Sequence, residues 1–209
     1  DQKRKEDVVR NKILRPPTGM TKLMGQHKRY LEGRGFDPAT LCKTWGLRAT
    51  GPMSGSWCWR VIIPICNADG IVTAYQGRSI REGVKPKYRM TEAKDILEDP
   101  QGLLYGIDRA DGDAVIVVEG VTGVWRMGEG TVATFGIDWK KSQANKLRRY
   151  KRRYVLFDPE PEAQARANGL ATWLSLFPGT TEVVDGFETD PGDFSDRLAK
   201  RIKQRLGVK

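Results

Sequence analysis

Histidine and cysteine are scarce in this chain of 209 residues: one histidine, His27, and three cysteines, Cys42, Cys58 and Cys66. An odd count with no Cys-x-x-Cys pair argues against the disulfide framework of a small secreted domain. The four side chains match no zinc-knuckle spacing, and Cys58 and Cys66 fall in strand-like, core-like sequence, so no zinc is expected in this fragment. His27 reads as a surface residue. Long apolar runs are also missing: none approaches the roughly 20 residues that span a bilayer, so a membrane is not an expected partner. No Gly-x-x-x-x-Gly-Lys loop occurs, which removes a P-loop ATPase. There is no internal repeat, no low-complexity linker and no signal-peptide pattern, and a start at Asp1 without Met suggests a piece of something longer, or a processed form.

What the chain has in excess is positive charge. Lys and Arg number 36 against 26 Asp and Glu, a formal net charge of +10, within a composition 39% hydrophobic and 30% charged. That is the composition of a soluble globular protein, long enough for one large domain or two small ones. Ten excess cations favour a polyanion, with nucleic acid ahead of nucleotide or an anionic membrane surface.

The texture changes along the chain. Asp1–Leu14 is charged and helix-like up to Pro16-Pro17. Thr21–Gly35 also reads as helix, and Asp37-Pro38 starts a short helix that runs to Trp45-Gly46, with Asp as N-cap and Pro in the first turn. From Trp57 the period becomes that of strands: Trp57–Ile65, a turn at Asn67-Ala68-Asp69-Gly70, Ile71–Ser79, and a short strand near Lys87–Met90. Beyond Asp113 strands and helices alternate. The strands are Ala114–Val118, Thr131–Phe135, Tyr154–Phe157 and Thr181–Val184. The helices are Val121–Met127, Trp139–Tyr150, Glu162–Leu176 and Phe194–Leu206. These strands lack alternation, so they are buried on both faces. The expected fold class is α/β: a basic N-terminal α+β subdomain, 1–110, then a parallel sheet flanked by helices, 111–209.

Ligands bind outside the carboxyl ends of parallel strands, and three of the four strands end there in acid. Glu119 follows the first, Asp158 and Glu160 the third, and Asp185, Glu188, Asp190 and Asp193 the fourth. Carboxylates gathered on one edge repel unless a cation lies between them, and oxygen-only ligation suits Mg²⁺ or Mn²⁺. Acids at strand ends also serve as helix N-caps, and Asp158 ahead of a proline-led helix fits that role too.

Val117-Val118-Glu119-Gly120, followed by Leu156-Phe157-Asp158-Pro159-Glu160, resembles the TOPRIM motif pair shared by topoisomerases, primases and some nucleases. Upstream, Tyr30-Leu31-Glu32-x-Arg34-Gly35-Phe36 resembles the opening of the catalytic core of DnaG-type primases and phage primase-helicases. So do Arg60–Ile65, Gly70–Arg78, Lys85–Tyr88 and Leu104-Tyr105-Gly106 in that order, and together they cover roughly Lys22 to Leu206. The resemblance implies Glu119, Asp158 and Glu160 as catalytic acids, and these three with Asp190 as ligands of two or more Mg²⁺ or Mn²⁺ ions. It implies Arg60, Arg78, Lys85, Lys87 and Arg89 as contacts to nucleotide or template. The partners it implies are a single-stranded DNA template, ribonucleoside triphosphates and a replicative helicase, and the setting is the cytoplasm of a bacterial or phage-infected cell. Glu160 and Gly123 depart from the family pattern, which commonly has Asp at both positions, and Gly192 lengthens the acidic loop by one residue.

Lys140, Lys141, Lys146, Arg148, Arg149, Lys151, Arg152 and Arg153 form the densest basic run, a candidate second DNA track or a solvated helix face. Tyr75 and Tyr88 are candidates for base stacking or core flanks, whereas Trp57, Trp59 and Trp173 read as packing. The expected activity is metal-dependent RNA primer synthesis. The alternative is a catalytically degenerate TOPRIM module that binds single-stranded DNA or scaffolds a replication complex. A TOPRIM nuclease would use the same acids, and a topoisomerase would need a further domain with a nucleophilic tyrosine.

Overall fold

The computed structural model describes residues 13–208. The helix expected over Asp1–Leu14 therefore lies, apart from Ile13 and Leu14, outside the described residues. The chain divides into two compact units, one of the described residues up to Ile65 with Ile71–Pro100, the other of Cys66–Gly70 with Gln101 onward. The second unit begins ten residues before the change of texture at 110/111, because Tyr105 pairs with Ala133 and Leu104 joins the core beneath the parallel sheet.

The first unit is a five-stranded sheet in sequential order: β1 (Met20–Thr21), β2 (Arg48–Thr50), β3 (Arg60–Cys66), β4 (Val72–Ser79) and β5 (Tyr88–Met90). Two helices belong to it, α1 (Gly25–Glu32) and α2 (Pro38–Trp45). α2 starts as its sequence dictates: the Asp37 carboxylate accepts from the Ala39 and Thr40 amides (3.3 and 2.8 Å), and Pro38 occupies the first turn. It stops at Gly46, whose φ of 66° ends the last turn in the left-handed region. β1 and β2 are too short and too polar to show a period, and the sequence does not reveal them. The strand expected from Trp57 starts only at Arg60. Gly55–Trp57 forms a 3-10 turn and Trp59 takes φ 53°, a left-handed backbone no strand tolerates. His27, expected at the surface, is fully buried and stacks on Trp59 with ring centroids 6.1 Å apart. Burial lowers its pKa and keeps the ring neutral.

The second unit is a four-stranded parallel sheet flanked by helices. β6 (Ala114–Val118), α3 (Val121–Met127), β7 (Thr131–Ala133), α4 (Lys141–Leu147), β8 (Arg152–Val155), α5 (Pro161–Leu174), β9 (Thr180–Val183) and α6 (Asp196–Leu206) alternate along the chain. Every pair in the order β7-β6-β8-β9 is parallel. All five residues of β6 are buried, as its unbroken apolar run requires, whereas β9, at the sheet edge, has no buried residue and departs from the expected burial on both faces. α5 lays Ala163, Ala167, Leu170 and Leu174 on this core. Among the described residues no helix is long and apolar enough to cross a membrane. Asp37→Ala should lower stability through the lost cap, read as a lower urea midpoint, and an unchanged midpoint would contradict the capping role.

Candidate active site

The strand order fixes where a site can form. From β6 the chain moves to one neighbour, β7, then crosses back to the other side as β8 and continues to β9. The reversal leaves a crevice between the carboxyl ends of β6 and β8. Glu119 follows β6 and Asp158 follows β8, so the two strands that flank the crevice each deliver one acid.

Backbone and side chain hold this pair together. The Asp158 N–H donates to Glu119 Oε1 at 2.9 Å. The Glu119 carbonyl accepts from the Gly136 amide at 2.9 Å, which ties it to the loop after β7. That loop carries Phe135 at φ 64°, an uncommon conformation for a residue with a side chain. On the other side, Gln164 Nε2 donates to the Asp158 carbonyl at 2.8 Å and the Phe157 carbonyl at 3.3 Å. The peptide of Asp158 is thus gripped at both ends, by Glu119 and by a residue of α5.

The other acids act through space. Burial first, then Asp190, Glu119, Glu160 and Asp193, push the Asp158 carboxyl up to about 7. Glu119 is raised by burial and then by Asp190 and Glu160, against the lowering hydrogen bond from the Asp158 amide. Asp190 Oδ1 accepts from Gly192 N and caps the turn Pro191–Asp193. Gly192 has a steric reason to be glycine: a Cβ there would lie 2.8 Å from Thr122 Oγ1 of α3. Gly123 also sits close, with a Cβ position 3.1 Å from Val118 Cγ2 of β6. Glu160 is exposed at the N-cap of α5 and makes no capping bond there.

The structure gathers Glu119, Asp158, Glu160, Asp190 and Asp193 into one electrostatic cluster. Asp185 and Glu188 exert no resolved pull on Glu119 or Asp158. Among the described residues no three His, Cys, Asp or Glu side chains form a ready-made metal cage. The donor chemistry still fits a hard divalent cation. The donors are all oxygen, Glu119, Asp158 and Asp190 are half-buried, and the set is in mutual repulsion that a cation would relieve, while Mg²⁺ needs only one or two protein carboxylates.

The basic residues fall into different roles. Arg60 is 2% exposed, and its guanidinium donates to the carbonyls of Gly77, Lys87 (both 3.1 Å) and Pro86 (3.0 Å), so it braces β3 against the β4–β5 connection instead of facing a ligand. Arg78 is buried between the Tyr30 and Tyr88 hydroxyls, to which it donates, and its guanidinium lies 4.7 Å from the Tyr88 ring centre. Tyr88 is a lining residue of this cluster, and Tyr75 is half-buried. Arg89 and Arg81 cover the Trp57 and Trp59 rings at 5.6 and 4.6 Å. Lys85 and Lys87 are exposed.

The basic run after β7 splits by sheet edge. Lys140 and Lys141 are exposed at the start of α4, on the carboxyl-end edge that carries the acids. Arg148 to Arg153 lie at the opposite edge, and several are engaged there. Arg148 stacks on Phe177 at 3.9 Å. Arg149 donates to Tyr150 Oη and to the Ile107 and Ala110 carbonyls. Arg152 donates to the Leu206 and Gly207 carbonyls. Arg153 is fully buried, with Nε on Thr181 Oγ1 at 3.0 Å. Trp173 packs between Trp139 and Phe177, as expected of a packing residue. Gln164 is the site residue the sequence conceals, because a lone glutamine on a helix carries no motif.

The fold and site define a two-unit α/β protein with an acid pair at its topological switch point, and structural comparison narrows that class. No family model and no curated protein matches the chain. Solved structures do, three primases among them. The zinc-binding and RNA polymerase domains of Aquifex aeolicus primase align with TM-score 0.69 at 22% identity over 88% of this chain and 55% of that one. The RNA polymerase domain of Mycobacterium tuberculosis primase DnaG gives 0.69 at 22% over 87% and 77%. A DnaG primase catalytic domain bound to single-stranded DNA gives 0.66 at 18% over 99% and 80%. The chain has the fold of the DnaG-type primase catalytic core, and it spans about half the length of the Aquifex chain.

The raised carboxyl of Asp158 sets a pH dependence. An aspartate titrates near 3.9 when unfolded and near 7 here, so the folded state holds the extra proton between those values. Stability of the metal-free protein therefore falls as pH rises from about 4 through 7. In EDTA the thermal midpoint should drop between pH 5 and pH 8, and Asp158→Asn should flatten that slope. A wild-type midpoint that climbs over the interval would contradict the burial and charge assigned to Asp158.

Proposed function

We propose that this chain is the catalytic core of a DNA primase, a nucleotidyltransferase that makes short RNA primers on single-stranded DNA during phage or mobile-element replication. The observation that carries the reading is the Glu119–Asp158 pair, tied through one peptide hydrogen bond and backed by Asp190 at the reversal of strand order. Similarity of fold to primase cores, one of them bound to single-stranded DNA, supports it.

In this reading the second unit is the TOPRIM module. Glu119, Asp158, Glu160 and Asp190 hold Mg²⁺ or Mn²⁺, and Glu119, Asp158 and Glu160 are the catalytic acids. Bound divalent ions supply activation of an attacking hydroxyl and neutralisation of charge on the transferring phosphoryl group. The chain's own part is positional. The Asp158 peptide, held by Glu119 and Gln164, keeps the two acids at fixed separation, so little reorganisation is needed when a substrate arrives. No Ser, Cys or His nucleophile is called for, in keeping with a single histidine buried in the other unit. Lys85, Lys87 and the half-buried Arg89 offer charge to a triphosphate or template, with Lys140, Lys141 and parts of the Arg148–Arg152 segment as a secondary contact. A replicative helicase is the proposed protein partner.

A second reading has its own support. Glu160 stands exposed, glycine occupies position 123, and no three acids close a cage. These features suit a degenerate centre that binds single-stranded DNA or scaffolds a replication complex without synthesis. Incubation with a single-stranded template, ribonucleoside triphosphates and Mg²⁺ or Mn²⁺ separates the two. Labelled oligonucleotides are the expected product, and none, even with the neighbouring domains joined, would leave only the binding module. Glu119→Gln and Asp158→Asn should each lower synthesis by roughly 100-fold or more with salt-sensitive DNA binding retained. Gln164→Ala should weaken Mn²⁺ binding, read by calorimetry, by about 10-fold or more through loss of its grip on Asp158, and unaltered affinity would remove that residue from the site.

A further inference from the structure

α6 turns an apolar side inward and a cationic side outward. Ala199, Ile202 and Leu206 are buried, while Arg197, Lys200, Arg201, Gln204 and Arg205 are exposed. These exposed positions follow the three-and-four spacing of one helix face, so four cations and an amide form a stripe about 12 Å long. No acid interrupts it, since Asp196, at the start of the helix, pairs with Arg126. Among the described residues, none of the four cations makes an ion pair or donates to a protein acceptor.

Helix energetics do not account for this arrangement. Arg205, in the last turn, suits the helix dipole, but Arg197, in the first turn, opposes it. Arg197 with Lys200, Arg197 with Arg201, and Arg201 with Arg205 are like-charge neighbours at spacings where Glu–Lys pairs would stabilise and these repel. Asp196, four residues before Lys200 and favourable in the first turn, offsets part of this, and the three like-charge pairs leave a cost that an anion would relieve.

The location gives that anion a direction. α6 follows the loop of Asp190 and Asp193, so its first turn starts at the carboxyl-end edge of the sheet. It runs back to the opposite edge, where Arg152, the exposed first residue of β8, donates to the Leu206 and Gly207 carbonyls at 3.1 and 3.3 Å. The cationic stripe leads from the acid cluster to the far side of the unit.

We infer that the outer face of α6 is a sequence-independent track for the phosphodiester backbone of a single nucleic-acid strand. Four cations spread over about 12 Å can meet about three successive phosphates of one strand. The face has no aromatic platform and only one amide, so it grips backbone and reads no base. It also lacks the apolar anchors that the core of a protein–protein interface requires, which is why a nucleic acid is the fitting partner rather than an acidic protein. That the strand is a template or primer rests on the proposed function; the binding itself does not.

The test is fluorescence anisotropy with a labelled oligothymidylate, without divalent ions, across a series of KCl concentrations. Three wild-type contacts should disappear in R197Q/K200Q/R201Q/R205Q, lowering the slope of log K against log salt by about 2, at roughly 0.7 per phosphate. Affinity near 100 mM salt should fall about 10-fold or more, with circular dichroism and thermal midpoint unchanged. R197K/R201K/R205K should bind like wild type, since charge rather than shape is at work. The track is overturned if the quadruple variant keeps the wild-type slope, or if wild type does not bind the oligonucleotide. It is also overturned if four glutamines at Lys22, Lys28, Lys43 and Arg48 produce the same loss, which would mean net charge alone. Wild-type binding without primer synthesis would remove the proposed reaction and leave the track in place.

Discussion

Mutual repulsion among carboxylates is the constraint around which the second unit is organised. Glu119 and Asp158 are half-buried, with Asp190, Glu160 and Asp193 acting on them, and each addition makes ionising the set harder. A cluster of this kind persists only where the backbone is fixed independently of the side chains. Fully buried β6 and its parallel neighbour β8 provide that fixed frame, and the loops that leave them have little freedom to separate the acids. The contacts of Gly136 to the Glu119 carbonyl and of Gln164 to the Asp158 carbonyl anchor both loops from outside the pair. Closeness to Thr122 explains the glycine in the acidic turn, which brings Asp190 into the same field.

The first unit solves a different problem with arginine. Among the described residues Arg60 and Arg78 are buried without a carboxylate partner and donate instead to carbonyls and tyrosine hydroxyls, with Arg60 Nε left without an acceptor. Arg81 and Arg89 rest over indole rings. Guanidinium is suited to this because it is weakly hydrated, planar and able to donate in several directions at once. Neutral acceptors leave the positive charge uncancelled, so the interior of this sheet remains electropositive.

How much of this was legible in the sequence depended on the length scale of each signal. The alternation after Asp113 was readable because β6 is an unbroken apolar run, β6 and β7 are buried throughout, and α5 and α6 carry a 3.6-residue stripe, although β9 at the sheet edge has no buried residue. The Asp37 cap was readable because its chemistry is local. β1 and β2 were not, since two or three residues cannot display a period. Trp57 and Trp59 showed strand alternation, but the left-handed backbone at Trp59 depends on hydrogen bonds to Gly51 and Ile80 that are distant in sequence. His27 carried no local mark of burial, because what covers it is Trp59, more than thirty residues away. Glu119, Asp158 and Asp190 stood out at strand ends, whereas Gln164 became visible only once the Asp158 carbonyl lay beside it. Arg60 and Arg153 show the converse: a basic run in sequence says nothing about which guanidiniums turn inward.

The bond from the Asp158 amide to Glu119 has a consequence of its own. Any cation that claims Glu119 Oε1 competes with a peptide proton for the same lone pairs. The chemical shift and exchange rate of that one amide therefore register occupancy of the acid centre, giving the backbone a native gauge that needs no label and no turnover.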